Sequence, residues 1–451
     1  MILTLKEIIG AVNGKTTNST KTESIVKGLF TDSREAYRTK NGLFVAIKGE
    51  NSDGHSFVRE VLSTECYALV DNPAFFTTNT ILVDNTRIAL QQLAEWYRKS
   101  RLSSTKIIGV TGSVGKTSTK DMVALAVGAG MVTSKTQGNK NSQSGLPITV
   151  LETEPFIEAA VMEMGMSEPG EITRLSRISR PEIAVITNIG YSHIQSLGSR
   201  ENICAEKLSI TDYMPEDGIV ILNGDEPLLK QSSGKHRRVF CSVSDKNCDC
   251  YATDIKSDTY GKASYTAHIF GTEVEVSLSV AGLHNVVNSL LSIATAAVLG
   301  VDLKKAAEAL KFFTASGLRQ KIYTKNGYTV IADCYNASPE SMAAALNVLK
   351  GYKGRRIAVL GDMLELGGLS EMLHEEVGKR VLESNVDILI TFGSMAKHIA
   401  KLVDDSVEVY FFEGSEYDKA ADFMKSVLMP GDTVLFKASN RMKLQYIIDR
   451  L

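Results

Sequence analysis

The glycine-rich segment IIGVTGSVGKTSTK, residues 107–120, constrains the fold of this chain more than any other feature. The apolar residues at its start predict a buried strand, and the residues after its glycines follow a helical pattern. A turn of small residues at a helix N-terminus lets successive backbone N–H groups point at one anion, and proteins bind phosphate groups in this way. A strand, a glycine turn and a helix in this order are typical of an α/β domain.

The same turn carries the side chains of a nucleotide-binding loop. Such a loop needs a lysine that reaches the β- and γ-phosphates and a hydroxyl group that holds Mg²⁺, and Lys116 and Thr117 are placed accordingly. The general pattern has a glycine five residues before Gly115, where this chain has Val110, so a plain glycine turn of a βαβ unit is the alternative. We predict nucleotide contacts from Gly112, Ser113, Val114, Gly115, Lys116, Thr117 and Ser118.

Three regions of the chain differ in pattern. Its 451 residues, 43% of them hydrophobic, are enough for about three domains of roughly 100–200 residues each. Residues 1–103 mix short strands and helices and predict a small N-terminal α/β domain. Continuous apolar strands separated by helices in residues 104–314 predict a parallel sheet covered on both faces. Residues 315–451 alternate more cleanly and predict a Rossmann-like, doubly wound α/β domain.

Charge and hydropathy exclude several classes of protein. The 50 Lys and Arg residues against 52 Asp and Glu give a formal charge of −2, which argues against nucleic-acid binding. No segment reaches the ~20 apolar residues of a membrane span, and MILTLKEIIGAVNG at the start predicts a first helix rather than a signal peptide. The six cysteines lack the spacing of a disulfide framework, and we interpret Cys248 and Cys250 as thiols on a polar loop. We therefore expect a cytoplasmic protein without membrane insertion.

Two potential metal ligands follow predicted strands of the central region. Glu163 ends the apolar run EAAVMEMGM, and His193 lies just beyond the strand predicted at 182–187. Ligands collect at the carboxyl ends of strands in open α/β sheets, where a Mg²⁺ site needs hard donors. A surface glutamate and a locally bonded histidine are the structural alternatives. Lys207 follows in a helical pattern, and its spacing alone indicates a solvated helix lysine.

The segment GLHNVVNSL places His284, Asn285 and Asn288 near the start of an otherwise apolar helix. Asparagine has both the donor and the acceptor that an adenine edge requires. An N-terminal helix cap is the simpler interpretation of Asn285. Spacing alone leaves both interpretations open.

Eight segments of the chain occur in an order that resembles one known family. They are TGSVGKTS, EMGM, TNIGYSH, LNGDE, GLHNVVN, DCYNASP, AVLGDMLELG and FKASNR, and together they span nearly the whole sequence. The chain is similar in these segments to the Mur ligases, the ATP-dependent amide-forming enzymes of peptidoglycan precursor synthesis. Residues 333–342 and 358–367 are most similar to the members that add D-alanyl-D-alanine. Members that add the third stem residue carry Asp-Tyr-Ala-His where this chain has Asp333-Cys334-Tyr335-Asn336.

The resemblance implies ATP and Mg²⁺ as cofactors. It places Lys116 on the β- and γ-phosphates and Thr117 on the first Mg²⁺. Glu163 and His193 resemble the metal ligands of the family, and Lys207 aligns with a lysine that several members carbamylate to bridge a second Mg²⁺. Further ATP contacts are implied for His284, Asn285 and Asn288, and for Arg319 and Asp333, which reach across from the C-terminal domain.

The resemblance also implies a reaction. UDP-MurNAc-tripeptide is joined through its terminal carboxylate to the amine of D-Ala-D-Ala, by way of an acyl phosphate, and ADP and phosphate are released. We expect a monomer whose C-terminal domain binds the dipeptide and closes over ATP. The implied substrate contacts are Ser33, Arg34, Lys48 and Asn51 at the UDP end, Asn139 and Asn141 near the peptide, and Tyr335 and Asn336 in the C-terminal domain.

Three other interpretations are open at the level of sequence. A folylpolyglutamate-synthase-like ligase shares the glycine turn and the reaction type but would lack the DCYNASP and GDMLELG segments. A P-loop ATPase switch would hydrolyse ATP without an amino-acid acceptor. A catalytically inactive scaffold is suggested by Ser142, Ala332 and Ala438, which depart from the family pattern, although the residues expected to hold phosphate and metal are retained.

Overall fold

The computed structural model describes residues 1–49, 52–315, 317 and 319–451. Its strands form separate sheets in three successive regions of the chain, with helices between the strands. The predicted α/β class is therefore confirmed. The domain boundaries near residues 103 and 314 stay predictions.

The N-terminal region is built on short strands. They are β1 (Ile2–Thr4), β2 (Ile25–Lys27), β3 (Leu29–Phe30), β4 (Leu43–Val45), β5 (Tyr67–Val70) and β6 (Thr80–Leu82), with helices α1 (Leu5–Val12), α2 (Val58–Leu62) and α3 (Thr86–Arg101). Strands β1 and β2 pair antiparallel, and β3 to β6 form a parallel sheet in chain order. The expected first helix is preceded by a strand, because Thr4 and Glu7 cap the helix reciprocally at its first turn.

The central region is built on one mixed sheet. Its strands are β7 (Lys106–Thr111), β8 (Thr133–Lys135), β9 (Ala159–Glu163), β10 (Ile183–Ile186), β11 (Ile219–Asn223), β12 (Arg237–Ser242), β13 (Cys250–Ser257), β14 (Lys262–Ile269) and β15 (Thr272–Ala281). Its helices are α4 (Lys116–Gly128), α5 (Gly145–Glu152), α6 (Glu171–Ser179), α7 (Ile194–Leu197), α8 (Arg200–Leu208), α9 (Pro227–Gln231), α10 (His284–Val298) and α11 (Leu303–Leu310).

The strand order of the central sheet is β15-β14-β13-β12-β11-β10-β7-β9-β8 in the described residues. Strands β7 to β13 run parallel, as predicted, but β14 and β15 are antiparallel additions. The predicted parallel sheet is therefore confirmed for β7 to β13, and the antiparallel arm of β14 and β15 was not expected. Its strands alternate buried and exposed residues, which is typical of a sheet with one face in water.

The C-terminal region forms a second sheet in the order β16-β17-β21-β18-β19-β20, where the strands are β16 (Lys321–Lys325), β17 (Tyr328–Asp333), β18 (Arg356–Gly361), β19 (Ile388–Phe392), β20 (Glu408–Phe412) and β21 (Thr433–Lys437). The helices are α12 (Pro339–Lys350), α13 (Ser370–Glu383), α14 (Tyr417–Val427) and α15 (Gln445–Arg450). The predicted doubly wound α/β sheet is confirmed, since β17 to β21 run parallel. The sequence analysis missed β16, which pairs antiparallel with β17 across a turn at Asn326 and Gly327, both with positive φ.

Short 3₁₀ helices lie in the connecting segments. They are Ser33–Tyr37, Gly54–Phe57, Pro73–Phe75, Ser209–Thr211, Gly367–Leu369, Ala396–Leu402 and Asn440–Met442. In the part of the chain that the structure describes, no helix combines the length and the apolar character needed to cross a membrane.

The cysteines lie in different surroundings from those expected. Cys248 is half-buried, but Cys250 is fully buried and opens β13 beside Cys241 of β12. The interpretation of both residues as thiols on a polar loop was therefore wrong for Cys250. None of the six cysteines forms a disulfide in the described residues.

Helix α3 attaches the N-terminal region to the central one through buried polar contacts. The Tyr97 hydroxyl donates to the Thr153 carbonyl at 3.2 Å. Arg98, 6% exposed, donates from Nε to the Ser179 carbonyl at 2.9 Å and pairs with Glu182 at 2.8 Å. The two contacts of Arg98 link α3 to Ser179 at the end of α6 and to Glu182 just before β10.

We expect Arg98→Ala to destabilise the protein by about 2–4 kcal/mol, because it leaves a buried carbonyl and a carboxylate without their partner. The matched control is Arg101→Ala on the same helix, which removes an exposed pair with Glu7 and should cost less than about 1 kcal/mol. Differential scanning calorimetry measures both. Equal losses of stability in Arg98→Ala and Arg101→Ala would show that Arg98 does not hold the two regions together.

Candidate functional site

A cavity of about 560 Å³ lies where the carboxyl ends of the central strands face the C-terminal region. Sixteen of the residues predicted for the site line it: Ser113, Val114, Gly115, Lys116, Thr117, Ser118, Asn141, Glu163, His193, His284, Asn285, Asn288, Arg319, Asp333, Tyr335 and Asn336. They come from segments far apart in the chain. The fold therefore brings the predicted nucleotide and metal residues together on both sides of one cavity.

The glycine turn between β7 and α4 requires glycine at two positions. Gly112 has φ +150°, and a Cβ there would lie 1.9 Å from Oγ1 of Thr187. Gly115 has φ +83° and precedes α4 without a side-chain cap, so the first N–H groups of that helix have no capping oxygen. A Cβ on Gly115 would also lie 3.1 Å from Oδ1 of Asn288. This geometry is that of the anion-binding turn that the sequence predicts, and its role stays a prediction here.

Residues after β10 hold the turn in place. Asn188 accepts from Val114 N at its side-chain Oδ1 (2.8 Å) and from Ser113 N at its carbonyl (3.0 Å). Thr187 donates to the Val114 carbonyl at 2.6 Å, and Gly190 N donates to Ser113 Oγ at 2.8 Å. The turn is therefore pre-formed by hydrogen bonds from the neighbouring strand. The sequence analysis did not assign Thr187 or Asn188, although both belong to the TNIGYSH segment.

The Lys116 ammonium lies at the mouth of the turn. Its Nζ donates to the Gly112 carbonyl at 2.8 Å and to the Ser113 carbonyl at 3.3 Å. Burial lowers the pKa of Lys116, and the nearby Glu163 carboxylate opposes that shift. A cation held this close to the turn complements a phosphate bound there.

Glu163 and Thr117 form an oxygen-rich group beside the turn. The Thr117 hydroxyl donates to Glu163 Oε2 at 2.8 Å, and Asn141 Nδ2 donates to Oε1 at 2.7 Å. Glu163 is 2% exposed, and both donors are neutral. A buried carboxylate beside a hydroxyl is the hard-oxygen donor set that Mg²⁺ prefers, so these residues fit that ion. The alternative of a surface glutamate is wrong.

The other two predicted metal ligands occupy different positions. His193 lines the cavity, and its Nδ1 lies 2.6 Å from Oε2 of Glu365 in the C-terminal region. Lys207 is 1% exposed in α8 and is not among the described residues that line the cavity. Burial, followed by the positive charge of Lys116, lowers the pKa of Lys207 well below its ordinary value. The interpretation of Lys207 as a solvated helix lysine was therefore wrong.

The start of α10 presents His284, Asn285 and Asn288 to the cavity. Asn285 donates from Nδ2 to the Ala281 carbonyl at 2.7 Å, and Leu283 occupies the cap position without a side-chain bond. The cap interpretation of Asn285 was therefore wrong. His284 is exposed towards the cavity, which it lines beside the buried Asn285 and Asn288.

The C-terminal region contributes a cation and an anion. The Arg319 guanidinium lies 3.5 Å from the centre of the Tyr335 ring, a cation–π contact that fixes its direction. Asp333 pairs with Lys437 at 2.6 Å, and Lys437 also donates to the Asn336 carbonyl at 3.1 Å. Lys437 is 2% exposed and was not among the predicted site residues.

Several predicted substrate residues lie outside the cavity. Asn139 is exposed, whereas Asn141 two positions later lies inside. Among the described N-terminal residues, Ser33, Arg34 and Lys48 do not line the cavity. Arg34 pairs with Asp32, which caps the 3₁₀ helix that carries Arg34. Asn51 lies outside the described residues, and the roles of these residues stay predictions.

A polar chain that the sequence analysis missed joins α3 to the cavity wall. Gln91 on α3 donates to the Gln143 carbonyl at 3.1 Å, and the Gln143 amide donates to Glu171 at 2.6 Å. Glu171 lines the cavity and accepts from the backbone of Ser167 and Glu168. Each of these residues has a partner from a distant segment, so no local pattern indicates it.

Comparisons with known proteins identify the class of this fold and site. A family model of the Mur ligase middle domain matches residues 110–296, and a model of the Mur ligase glutamate ligase domain matches residues 319–440. The chain belongs to the Mur ligase family. A UDP-N-acetylmuramoyl-tripeptide–D-alanyl-D-alanine ligase from Bacillus subtilis (strain 168) is 39% identical to it, over 99% of this chain and 98% of the relative.

Two solved structures share the whole architecture. The crystal structure of MurF from Acinetobacter baumannii has a TM-score of 0.92 and 29% identity, covering 100% of this chain and 98% of that one. MurF from Thermotoga maritima in complex with ADP has a TM-score of 0.84 and 28% identity, covering 94% and 97%. The predicted three-domain architecture is therefore confirmed.

We expect Lys207→Met to stabilise the protein most at low pH. The unfolded chain protonates this amine up to about pH 10.5, whereas the folded chain disfavours the charged form, so the stability of the wild type rises with pH towards that value. The difference in unfolding temperature between Lys207→Met and the wild type should therefore shrink from pH 6 to pH 10, as thermal unfolding measures. Lys304→Met, at an exposed position, is the control and should show a constant difference. If the difference in unfolding temperature between Lys207→Met and the wild type does not change with pH, the predicted cost of burying this amine is wrong.

Proposed function

We propose that this chain joins the terminal carboxylate of UDP-MurNAc-tripeptide to the amine of D-Ala-D-Ala, with ATP as the phosphoryl donor. The observation that carries the proposal is the pre-formed glycine turn, with Lys116 at its mouth and Glu163 beside it, in a cavity that the C-terminal region completes. A relative 39% identical over nearly the full chain is named for this reaction.

Residues on both walls of the cavity are assigned to different parts of ATP. We assign the β- and γ-phosphates to the uncapped backbone N–H groups at the start of α4 and to Lys116, whose ammonium turns from the loop carbonyls to the phosphate oxygens. The start of α10 is assigned to the adenine. Arg319 and Asp333 approach from the opposite wall and are assigned to the phosphates and the ribose. ADP in the related Thermotoga maritima structure supports a nucleotide in this family's fold.

We assign a Mg²⁺ site to Thr117, Glu163 and His193. Bound there, the ion would neutralise charge on the transferring phosphoryl group. Glu163 supplies a buried anionic oxygen and Thr117 a hydroxyl. Lys207 does not line the cavity but lies close enough to Lys116 for that charge to lower its pKa, and burial favours its neutral amine, the form that can bind a metal or be carbamylated; we propose it for the second Mg²⁺ on the family resemblance.

The reaction needs positioning rather than a protein nucleophile. The tripeptide carboxylate attacks the terminal phosphorus of ATP, an oxygen–phosphorus bond forms and ADP leaves. The dipeptide amine then attacks the acyl carbon, loses a proton and expels phosphate. Because water would hydrolyse the acyl phosphate, the cavity must be closed on both sides during the reaction. Holding the reactants in register can lower the barrier by about 7–11 kcal/mol.

The substrate ends are assigned by the family resemblance. Ser33, Arg34, Lys48 and Asn51 are proposed for the UDP end, Asn139 and Asn141 for the peptide, and Tyr335 and Asn336 for the dipeptide. Asn141 has a second function in the structure, since it holds the Glu163 carboxylate. We propose that the protein acts as a cytoplasmic monomer without a nucleic-acid partner.

Phosphate release is the direct test of the reaction. Release should depend on UDP-MurNAc-tripeptide and D-Ala-D-Ala together, and single amino acids should not replace the dipeptide. Release without an acceptor would indicate an ATPase switch. Release with glutamate and a folate would indicate a folylpolyglutamate-synthase-like ligase.

We expect Lys116→Ala to lower the rate of this release by at least roughly 10²–10³-fold, because it removes the cation aimed at the phosphates. The fold should persist, since the side chain bonds only to the turn that its own segment forms. Lys106→Ala, at an exposed position at the start of β7, is the control and should keep the wild-type rate. Near-normal turnover by Lys116→Ala would refute the placement of ATP.

Glu163→Ala should raise the Mg²⁺ concentration needed for half-maximal release, because it removes the buried carboxylate of the proposed metal site. A Mg²⁺ titration of the steady-state rate measures the shift. Glu152→Ala, which removes an exposed carboxylate paired with Lys140, should leave the titration unchanged. An unchanged requirement in Glu163→Ala would exclude this residue as a ligand.

A further inference from the structure

Two carboxylates of the C-terminal region reach the loop that carries His193. Glu340, at the start of α12, accepts from Tyr191 N at 3.0 Å. Glu365 lies 2.6 Å from Nδ1 of His193, and its carbonyl accepts from Gln195 N at 3.2 Å. Loop 190–195 of the central region is therefore held by side chains and backbone of the neighbouring domain.

The contact between His193 and Glu365 joins two unusual backbone conformations. Both residues have φ +65°, in the left-handed region that non-glycine residues rarely adopt. Such conformations persist where surrounding contacts determine them, and they concentrate at functional sites. Gly367 allows the close approach, because a Cβ there would already lie 3.3 Å from Cβ of Gln195.

Only one of the two ring nitrogens of His193 is occupied by the pair with Glu365. Nδ1 is taken by Glu365, so Nε2 is the ring nitrogen left for the cavity that His193 lines. A carboxylate on Nδ1 keeps the proton there and leaves the Nε2 lone pair free. Histidines that bind metals usually donate their second N–H to a carboxylate or a carbonyl, which fixes tautomer and ring direction.

We propose that Glu365 is a positioning residue that orients His193 for the metal of the neighbouring domain. This rests on the proposed function, because it takes His193 as a metal ligand. Glu365 is not among the described residues that line the cavity, so we assign it no direct contact with the nucleotide. Since it belongs to the C-terminal domain, the His193 ring is oriented only while that domain is docked on loop 190–195. Domain docking and metal binding are thereby coupled through one contact.

The test is Mn²⁺ binding in the presence of a non-hydrolysable ATP analogue, followed by the electron paramagnetic resonance signal of free Mn²⁺. Glu365→Ala should weaken Mn²⁺ binding about 10-fold, the lower end of the effect of removing such a partner. Glu365→Gln, which can still accept from Nδ1, should recover most of the affinity. Glu383→Gln, an exposed carboxylate on α13, is the matched control and should bind Mn²⁺ as the wild type does.

The outcomes separate this proposal from the assignment of the metal site. Wild-type Mn²⁺ affinity in Glu365→Ala, together with weakened binding in His193→Ala, would overturn the role of Glu365 and leave the metal site standing. Wild-type affinity in both variants would overturn the metal assignment as well. Tighter Mn²⁺ binding in Glu365→Ala would also overturn the proposal, because Glu365 would then compete with the metal for His193. Circular dichroism verifies that each variant is folded.

Discussion

The adjacency of β10, β7 and β9 is the constraint on which the rest of the site depends. Parallel strands deliver their carboxyl ends to one edge of the sheet. This order places Asn188, the glycine turn and Glu163 side by side, although Val114 and Asn188 are 74 positions apart. The hydrogen bonds that fix the turn come from Thr187 and Asn188, directly after β10, and the buried carboxylate comes from β9. The cavity is therefore a property of the strand order rather than of the glycine motif alone.

Elements with a strong local pattern could be predicted from the sequence, and elements defined by distant partners could not. Strands buried on both faces are continuous apolar runs, so β7, β9 and β10 were expected close to their observed bounds. The β14–β15 arm and β16 have exposed faces and alternate, and they were missed. Among site residues, Lys116 and Glu163 lie in local motifs. Asn188 and Lys437 also lie in segments that resemble the family, TNIGYSH and FKASNR, but what they hold is visible only through their contacts with remote segments, as it is for Glu171. The helical spacing of Lys207 indicated a solvated side chain, which was wrong because burial in the tertiary structure, not spacing, determines its environment.

The C-terminal domain contributes charges of both signs to the cavity, and their ion pairs fix the positions of side chains and backbone. The pair between His193 and Glu365 leaves the Glu365 side chain 56% exposed, so its direct contribution to stability is small. The buried pair of Asp333 and Lys437 instead fixes one wall, since Lys437 also holds the Asn336 carbonyl. Two kinds of ionic contact thus have different functions at one interface. The exposed pair orients the His193 ring, and the buried pair fixes the backbone at Asn336.

The polar chain from Gln91 through Gln143 to Glu171 has a mechanical consequence. Gln91 belongs to a helix of the domain assigned to the bulky UDP end of the precursor, and Glu171 belongs to the rim beside Glu163 and Asn141. Gln91 holds the backbone of Gln143, and the side chain of Gln143 holds Glu171, so the position of α3 and the position of this part of the cavity wall are not independent. A displacement of α3 that kept both hydrogen bonds would displace Glu171 as well.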